Sequence, residues 1–186
     1  MMELGEARTG RTCIRLLRED DGRRLLDYRV ANRGHLAPWE PLRAPAHFTL
    51  AGCHASIASA IVAAREDRGY AFAVLDPEGR RMLASFNLNN VVRGVLQAAH
   101  LGYGVDAGQQ GSGLMFEALQ AGLALAFGPL GLHRVMANHM PRNERSARLL
   151  ARLGFEREGY ARSYLCIAGQ WEDHVLTAML ADDFKP

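Results

Sequence analysis

Gly108-Gln109-Gln110-Gly111-Ser112-Gly113-Leu114 joins a stretch of strand character to the clearest helix of the chain. Upstream, residues 96–105 read as a strand. Downstream, residues 114–127 are apolar on nearly every side, which predicts a helix buried in the molecule. Residues 106–113 between them form a loop holding three glycines. Gly128 stands where a left-handed residue closes a helix, and Pro129 follows. A helix start leaves backbone N–H groups unpaired and carries a partial positive charge. Glycines let an anion approach that backbone with no Cβ in the way. Only Ser112 suits a side-chain cap here, so an external anion could take that role. The same residues also suit a tight strand-to-helix turn that binds nothing.

Two familiar phosphate loops fail. A P-loop needs GxxxxGK[ST], and Lys185 is the only lysine of the chain. A dinucleotide fingerprint needs a third glycine or alanine, but Met115 and Phe116 follow Leu114. The ribose-binding acid is missing too, because residues 132–142 contain no Asp or Glu.

Outward from the loop, the hydrophobic period alternates between helix and strand. Residues 11–18 predict a strand, 19–33 a helix opened by acids, 36–45 a stiff loop with three prolines, and 50–66 a helix. Residues 70–75 and 81–88 predict strands around the Asp76-Pro77-Glu78-Gly79 turn. After the buried helix come a strand over 132–140, a helix over 143–153, and closing strands over 155–167 and 171–180. The order β-α-α-β-β-β-α-β-α-β-β predicts an α/β (α+β) domain. Its sheet is mixed and mostly antiparallel, with helices on both faces and one βαβ unit near the centre.

The 186 residues suit a single domain with its core over about 11–181. A chain of this size buries roughly 70% of its unfolded surface, so its core needs no staple. The formal charge of +2 is too mild for a dedicated nucleic-acid binder. Every basic residue but Lys185 is an arginine, as in chains from GC-rich bacterial genomes. No apolar run approaches the length of a spanning helix. Residues 1–11 carry acids and no apolar core of a signal peptide. Cys13, Cys53 and Cys166 show neither CxxC spacing nor an even count, which fits a reducing cytosol. The sequence carries no signature of an oligomeric state.

A second element reinforces the glycine loop. Asn143-x-x-Ser146 opens the next helix and Leu153-Gly154-Phe155 closes it. Asn143 is a good N-cap with Ser146 at the third helical position. From Arg134 to Arg162 seven arginines face three acids, with Arg142, Arg145 and Arg148 at this helix start. A solvated basic face explains them, and so does a site for a phosphorylated cofactor.

Together, Gln110-Gly111-x-Gly113, Asn143-x-x-Ser146 and Leu153-Gly154-Phe155 resemble the acetyl-CoA-binding core of the GNAT N-acetyltransferases. Five further segments resemble the ribosomal-protein-alanine N-acetyltransferases of the RimJ/RimL type, the RimJ branch above all. They are Pro38-Trp39-Glu40-Pro41, Asn90-Val91-Val92-Arg93-Gly94, Gly113-Leu114-Met115-Phe116-Glu117-Ala118-Leu119, His133-Arg134-Val135-Met136-Ala137-Asn138, and Gly169-Gln170-Trp171-x-Asp173-His174-Val175-Leu176. The likeness runs from about Ile14 to Leu180.

The resemblance implies a GNAT fold and acetyl-CoA as co-substrate; no HxxxH, CxxC or paired-carboxylate motif appears at ligand spacing, so no metal is expected. Backbone N–H groups of Gln110, Gly111, Ser112, Gly113, Leu114 and Met115 would cradle the CoA pyrophosphate. Tyr103, Gly104 and Val105 would pair with the pantetheine arm, and a backbone N–H there would polarise the thioester carbonyl. Asn143 would contact the pantetheine, and Ser146 would lie near the sulfur. Many family members carry a tyrosine as general acid where this chain has Leu150, which makes Ser146 the proton donor or the anchor of a water.

The implied acceptor is a protein N-terminal amine, a small-subunit ribosomal protein among the candidates, in a cytoplasmic bacterial setting. An α-amine is roughly a tenth neutral near pH 7 and a lysine under about a thousandth, so a weak base suffices for the former. Glu40, Glu117, His139 and water are the candidates for that base. His139 is in phase with His133, so a two-histidine metal pair is conceivable, although unrelated strand-end histidines look the same. Trp39 fits loop packing or the acceptor entrance. Two alternatives stand beside this reading: a small-molecule amine or antibiotic N-acetyltransferase, and a non-catalytic acyl-CoA-binding, ribosome-associated module, which the missing tyrosine at Leu150 keeps open.

Overall fold

The computed structural model describes residues 4–185. Met1, Met2, Glu3 and Pro186, the ends of the predicted domain, lie outside them. Eight strands form one sheet: β1 (Ala7–Arg8), β2 (Cys13–Leu16), β3 (Gly69–Leu75), β4 (Met82–Val92), β5 (Ala98–Val105), β6 (Arg134–Met136), β7 (Glu156–Ile167) and β8 (Gln170–Leu180). The spatial order is β1-β2-β3-β4-β5-β6-β8-β7. Every pairing is antiparallel except β5 with β6. That one parallel pair is bridged by helix α4 (Leu114–Phe127), the expected central βαβ unit.

Strand alternation splits the core into two layers. Phe72 and Val74 of β3 join Phe86, Leu119 and Leu123 under α4 and under α5 (Glu144–Leu153). Their neighbours Ala73 and Leu75 point the other way. They meet Leu25 and Tyr28 of α1 (Gly22–Ala31) and Cys53 and Ile57 of α3 (Leu50–Arg65). A four-residue helix α2 (Arg33–Leu36) and a 3₁₀ turn (Ala37–Trp39) lead out of α1. The stiff loop expected over 36–45 is therefore partly helical. Pro38 sits in the first turn, where its missing N–H costs nothing.

Behind β2, the Asp21 carboxylate is wholly buried and accepts two bonds from Arg15 (2.6 and 2.9 Å), one from the Arg18 backbone N–H (2.8 Å) and one from Arg24 (3.1 Å). Burial pushes the carboxyl pKa up, but these donors outweigh it and leave it below the ordinary value.

Two local expectations are corrected, and one strand is new. The strand expected over 132–140 is only Arg134–Met136, because beyond it the Ala137 N–H turns to the Thr177 carbonyl and His139 bridges to Val175. Gly128 is not left-handed (φ −83°, ψ −97°). It is needed for a close approach instead, since a Cβ would lie 2.8 Å from the Ala124 carbonyl oxygen. Gly131 takes the left-handed turn (φ +59°). The edge strand β1 was not expected; two residues carry too short a pattern to read.

Candidate active site

The site begins where two strands part. β5 and β6 pair only from Ala98–Arg134 to His100–Met136. β6 ends at that point and the chain beyond it stays bonded to β8 alone, while Leu101 to Val105 remain bonded to β4 on one side and face no strand on the other. The backbone polar groups on that open side form an edge that an extended ligand can join as a strand would.

The glycine loop closes one end of the gap. Its 3₁₀ turn (Ala107–Gln109) is capped by Asp106, which accepts from the Gly108 N–H (2.9 Å). Buried Asn32 ties the turn to α1 by accepting from the Ala107 N–H (2.9 Å) and donating to Asp106 (3.2 Å). Gly111 and Gly113 then adopt positive φ, +71° and +79°. The cap residue of α4 is Gly113, with no side-chain cap. Ser112, the expected cap, donates its hydroxyl to the Gln109 carbonyl (2.7 Å) and receives only a long bond from the Leu114 N–H (3.3 Å). Among the described residues, none accepts from the Met115 or Phe116 N–H. Open donors at the positive end of a buried helix suit a phosphate.

The start of α5 forms the opposite wall. Asn143 caps it as expected, accepting from the Ser146 N–H (3.1 Å). The Ser146 hydroxyl lies 2.6 Å from the Tyr103 hydroxyl of β5. Burial holds the Tyr103 phenol pKa up at about 12, against a smaller lowering by Ser146. The gap is a cavity of about 770 Å³, in the size range of cofactor sites. Of the expected cofactor contacts, Tyr103, Gly104, Val105, Gln110, Gly111, Gly113, Met115, Asn143 and Ser146 line it. Ser112 and Leu114 do not: the serine is folded onto its own turn, and Leu114 is buried in the core.

Arg142, Arg145, Arg148 and Arg152 rim the same cavity, so the basic cluster is gathered at the site and not spread over a face. Leu150 is 1% exposed inside the core and does not line the cavity. Two contacts escaped the sequence reading. Gln110 bonds both His35 of α2 (3.0 Å) and Arg145 of α5, spanning the mouth of the gap. Trp39 lines the cavity with Arg142 stacked over its ring (5.2 Å), and Arg142 in turn pairs with Glu172 of β8 (2.7 Å).

The three side chains expected as bases are not among the cavity walls. Glu40 pairs with Arg43 (3.0 Å), and Glu117 pairs with Arg11 (2.7 Å). His139 is buried and donates from Nδ1 to the Met140 carbonyl (3.1 Å); it lies beyond β6, so it is not in strand phase with His133. Two buried polar side-chain atoms lack a partner among the described residues, Tyr28 Oη and His100 Nδ1. A Cβ at Gly104 would lie 3.3 Å from Tyr28 Oη.

Comparison with known proteins bears on this geometry. Residues 11–156 match the family described as the acetyltransferase (GNAT) domain. The chain is 44% identical over 178 residues to the [Ribosomal protein uS5]-alanine N-acetyltransferase of Escherichia coli K12, covering 96% of this chain and 92% of that one. It superposes on the ribosomal-protein-S5-alanine acetyltransferase of Vibrio fischeri with a TM-score of 0.92 and 37% identity, covering 98% of this chain and all of that one. It also superposes on RimJ of Mycobacterium smegmatis in complex with CoA-disulfide, with a TM-score of 0.88, 30% identity, and 94% and 84% covered. A splayed β5, an uncapped glycine turn and a nearly full-length match to these enzymes lead to one conclusion: the chain belongs to the GNAT acetyltransferases.

Proposed function

We propose that the protein transfers an acetyl group from acetyl-CoA to the N-terminal α-amine of a protein, a ribosomal protein being the foremost candidate, in the cytoplasm. The observation that carries the reading is the single cavity shared by the open edge of β5, the uncapped start of α4 and the Asn143–Ser146 turn. The whole chain would act as one catalytic domain.

The shape and chemistry of the walls fit this co-substrate. The Gly111–Gly113 turn and the open Met115 and Phe116 N–H groups would hold the pyrophosphate, and the arginine rim would face the remaining phosphate. The free edge of Tyr103, Gly104 and Val105 would pair with the amide-bearing arm, and Asn143 would meet it from α5. Acetyl-CoA supplies the acyl group as an activated thioester. A backbone N–H of the β5 edge would lie against the carbonyl oxygen, where negative charge develops. The Ser146 hydroxyl would meet the departing sulfur, either as donor or through a water it anchors. With the three expected bases outside the cavity, ordered water takes the amine's proton, which an α-amine allows because about a tenth of it is already neutral near pH 7.

The test is an acetylation screen with released CoA and product mass as readouts. Peptides with free N-terminal Ala, Ser or Thr are expected to turn over, while polyamines and aminoglycosides are not. Turnover of the small amines alone would move the acceptor to the small-molecule class. Binding of acetyl-CoA without any turnover would make the chain a binding module.

A further inference from the structure

We propose that Tyr103 is a positioning residue for the transfer: its hydroxyl donates to Ser146 Oγ and turns the serine's own proton toward the thioester sulfur. The inference rests on the reading of Ser146 given above. Tyr103 comes from β5 and Ser146 from α5, 43 residues later, yet their oxygens meet at 2.6 Å on the wall of the cavity. Nothing in the sequence pairs these two positions.

Acidity decides which oxygen donates. A phenol titrates near about 10 and is a far stronger donor than an aliphatic hydroxyl. A serine hydroxyl has one proton and two lone pairs, so a lone pair filled by Tyr103 leaves the proton free to point into the cavity. Burial holds the phenol protonated, its pKa pushed up to about 12, so it remains a donor throughout the neutral range. A phenol held up in this way is also a poor source of a transferred proton. Giving it up to a thiolate of pKa about 8.5 would be uphill by more than about 10³-fold. The pair therefore works by hydrogen bonding. The C–N bond forms as the C–S bond breaks, sulfur keeps the electron pair, and the proton shed by the amine reaches it through water. Tyr103 of β5 and Ser146 of α5 thus supply a hydrogen bond to the sulfur, where Leu150, buried on the same helix as the serine, supplies none.

Removing the phenol oxygen frees the serine among three staggered orientations and ends the polarisation along the chain. Together these are worth about a 3- to 10-fold loss of kcat. The experiment combines Tyr103→Phe, Ser146→Ala and the double variant. It measures kcat, CoA affinity by calorimetry, and the pKa of the bound CoA thiol by thiolate absorbance. Ser146→Ala is expected to raise that thiol pKa by about 1–2 units, the worth of one hydrogen bond to a charge. Tyr103→Phe should raise it by about half a unit to one unit, with CoA affinity unchanged, and should add nothing in the Ser146→Ala background. Tyr103→3-fluorotyrosine, with a more acidic phenol, should lower it. A purely structural Tyr103 would leave the thiol pKa unmoved in both variants.

If Ser146→Ala shifts the thiol pKa and Tyr103→Phe does not, the positioning role is overturned and the Ser146 reading stands. Equal losses from Tyr103→Phe with Ser146 intact and in the Ser146→Ala background would likewise overturn it, since the tyrosine would then act alone. If neither variant moves the thiol pKa, the Ser146 reading fails and the proposal fails with it. Should Tyr103→Phe not fold, the fluorotyrosine variant, which keeps every contact, decides the matter by the sign of its shift.

Discussion

Replacing Gly113 by alanine tests the anion cradle with the fold held nearly constant. Gly113 is left-handed, φ +79° and ψ 0°, and caps α4. An L-residue in that region costs about 1–2 kcal/mol from the clash of Cβ with its own backbone. The rest of the protein adds little, because the nearest atom to the new methyl would be an Arg11 guanidinium nitrogen at 3.9 Å, an ordinary contact. At about 2–4 °C per kcal/mol for a chain of this length, the melting temperature should fall by about 2–8 °C. Gly79 provides a matched control, with φ +71° and open space around it, in the turn between β3 and β4. Gly79→Ala should lose the same stability and keep its affinity for acetyl-CoA. Gly113→Ala should in addition lose affinity. A phosphate held off the turn forfeits at least one charge-assisted bond worth about 1.5–3 kcal/mol, or about 10- to 150-fold in Kd. Calorimetry beside a thermal melt separates the two effects. Matching melts with an unchanged acetyl-CoA affinity in Gly113→Ala would falsify the cradle.

Three other perturbations have defined outcomes. Asp21→Asn strands the buried Arg15 and should cost about 3–5 kcal/mol in a denaturant melt. Because the folded Asp21 pKa lies below its unfolded value, the wild-type contribution is complete above about pH 4. It is lost as pH falls through the folded pKa, so the acid limb of the stability curve should flatten in the variant. In Gly122→Ala the new Cβ would sit 2.6 Å from the Phe86 ring, which is stacked on Phe72 and has nowhere to turn. Overpacking of about 1–3 kcal/mol should exceed the helix-propensity gain of about 1 kcal/mol and lower the melting point. A chelator should leave the acetylation rate unchanged, since no group of three metal-ligating side chains is assembled among the described residues; zinc-reversible inhibition would show otherwise.

Local chemistry in the chain already specifies much of this protein. The bounds of α4 follow from a run between two glycine turns that is apolar but for Glu117 and Gln120, because a helix apolar on nearly every side has only one place to go. Asn143 as the cap of α5 and the β3–β4 hairpin follow equally from short-range rules of capping and turn chemistry. The glycine turn, the Asn143–Ser146 spacing and the arginines around it point to one phosphorylated ligand, since backbone donors and charge are legible as composition. What the chain order cannot carry is the meeting of distant side chains. β6 pairs with β5 and β8 over the same three residues and then ends, and beyond it the chain stays bonded to β8 alone, which leaves the edge of β5 open to the cavity. Whether Glu117 faced the ligand or Arg11 was settled by where the N-terminal segment lies, 106 residues away in sequence. In sequence Tyr103 enters only through its backbone, as one of the strand residues expected along the pantetheine arm, and nothing there assigns its hydroxyl a role. It becomes part of the site because the splayed strand and the first turn of α5 are packed on the same layer, which sets two hydroxyls 2.6 Å apart.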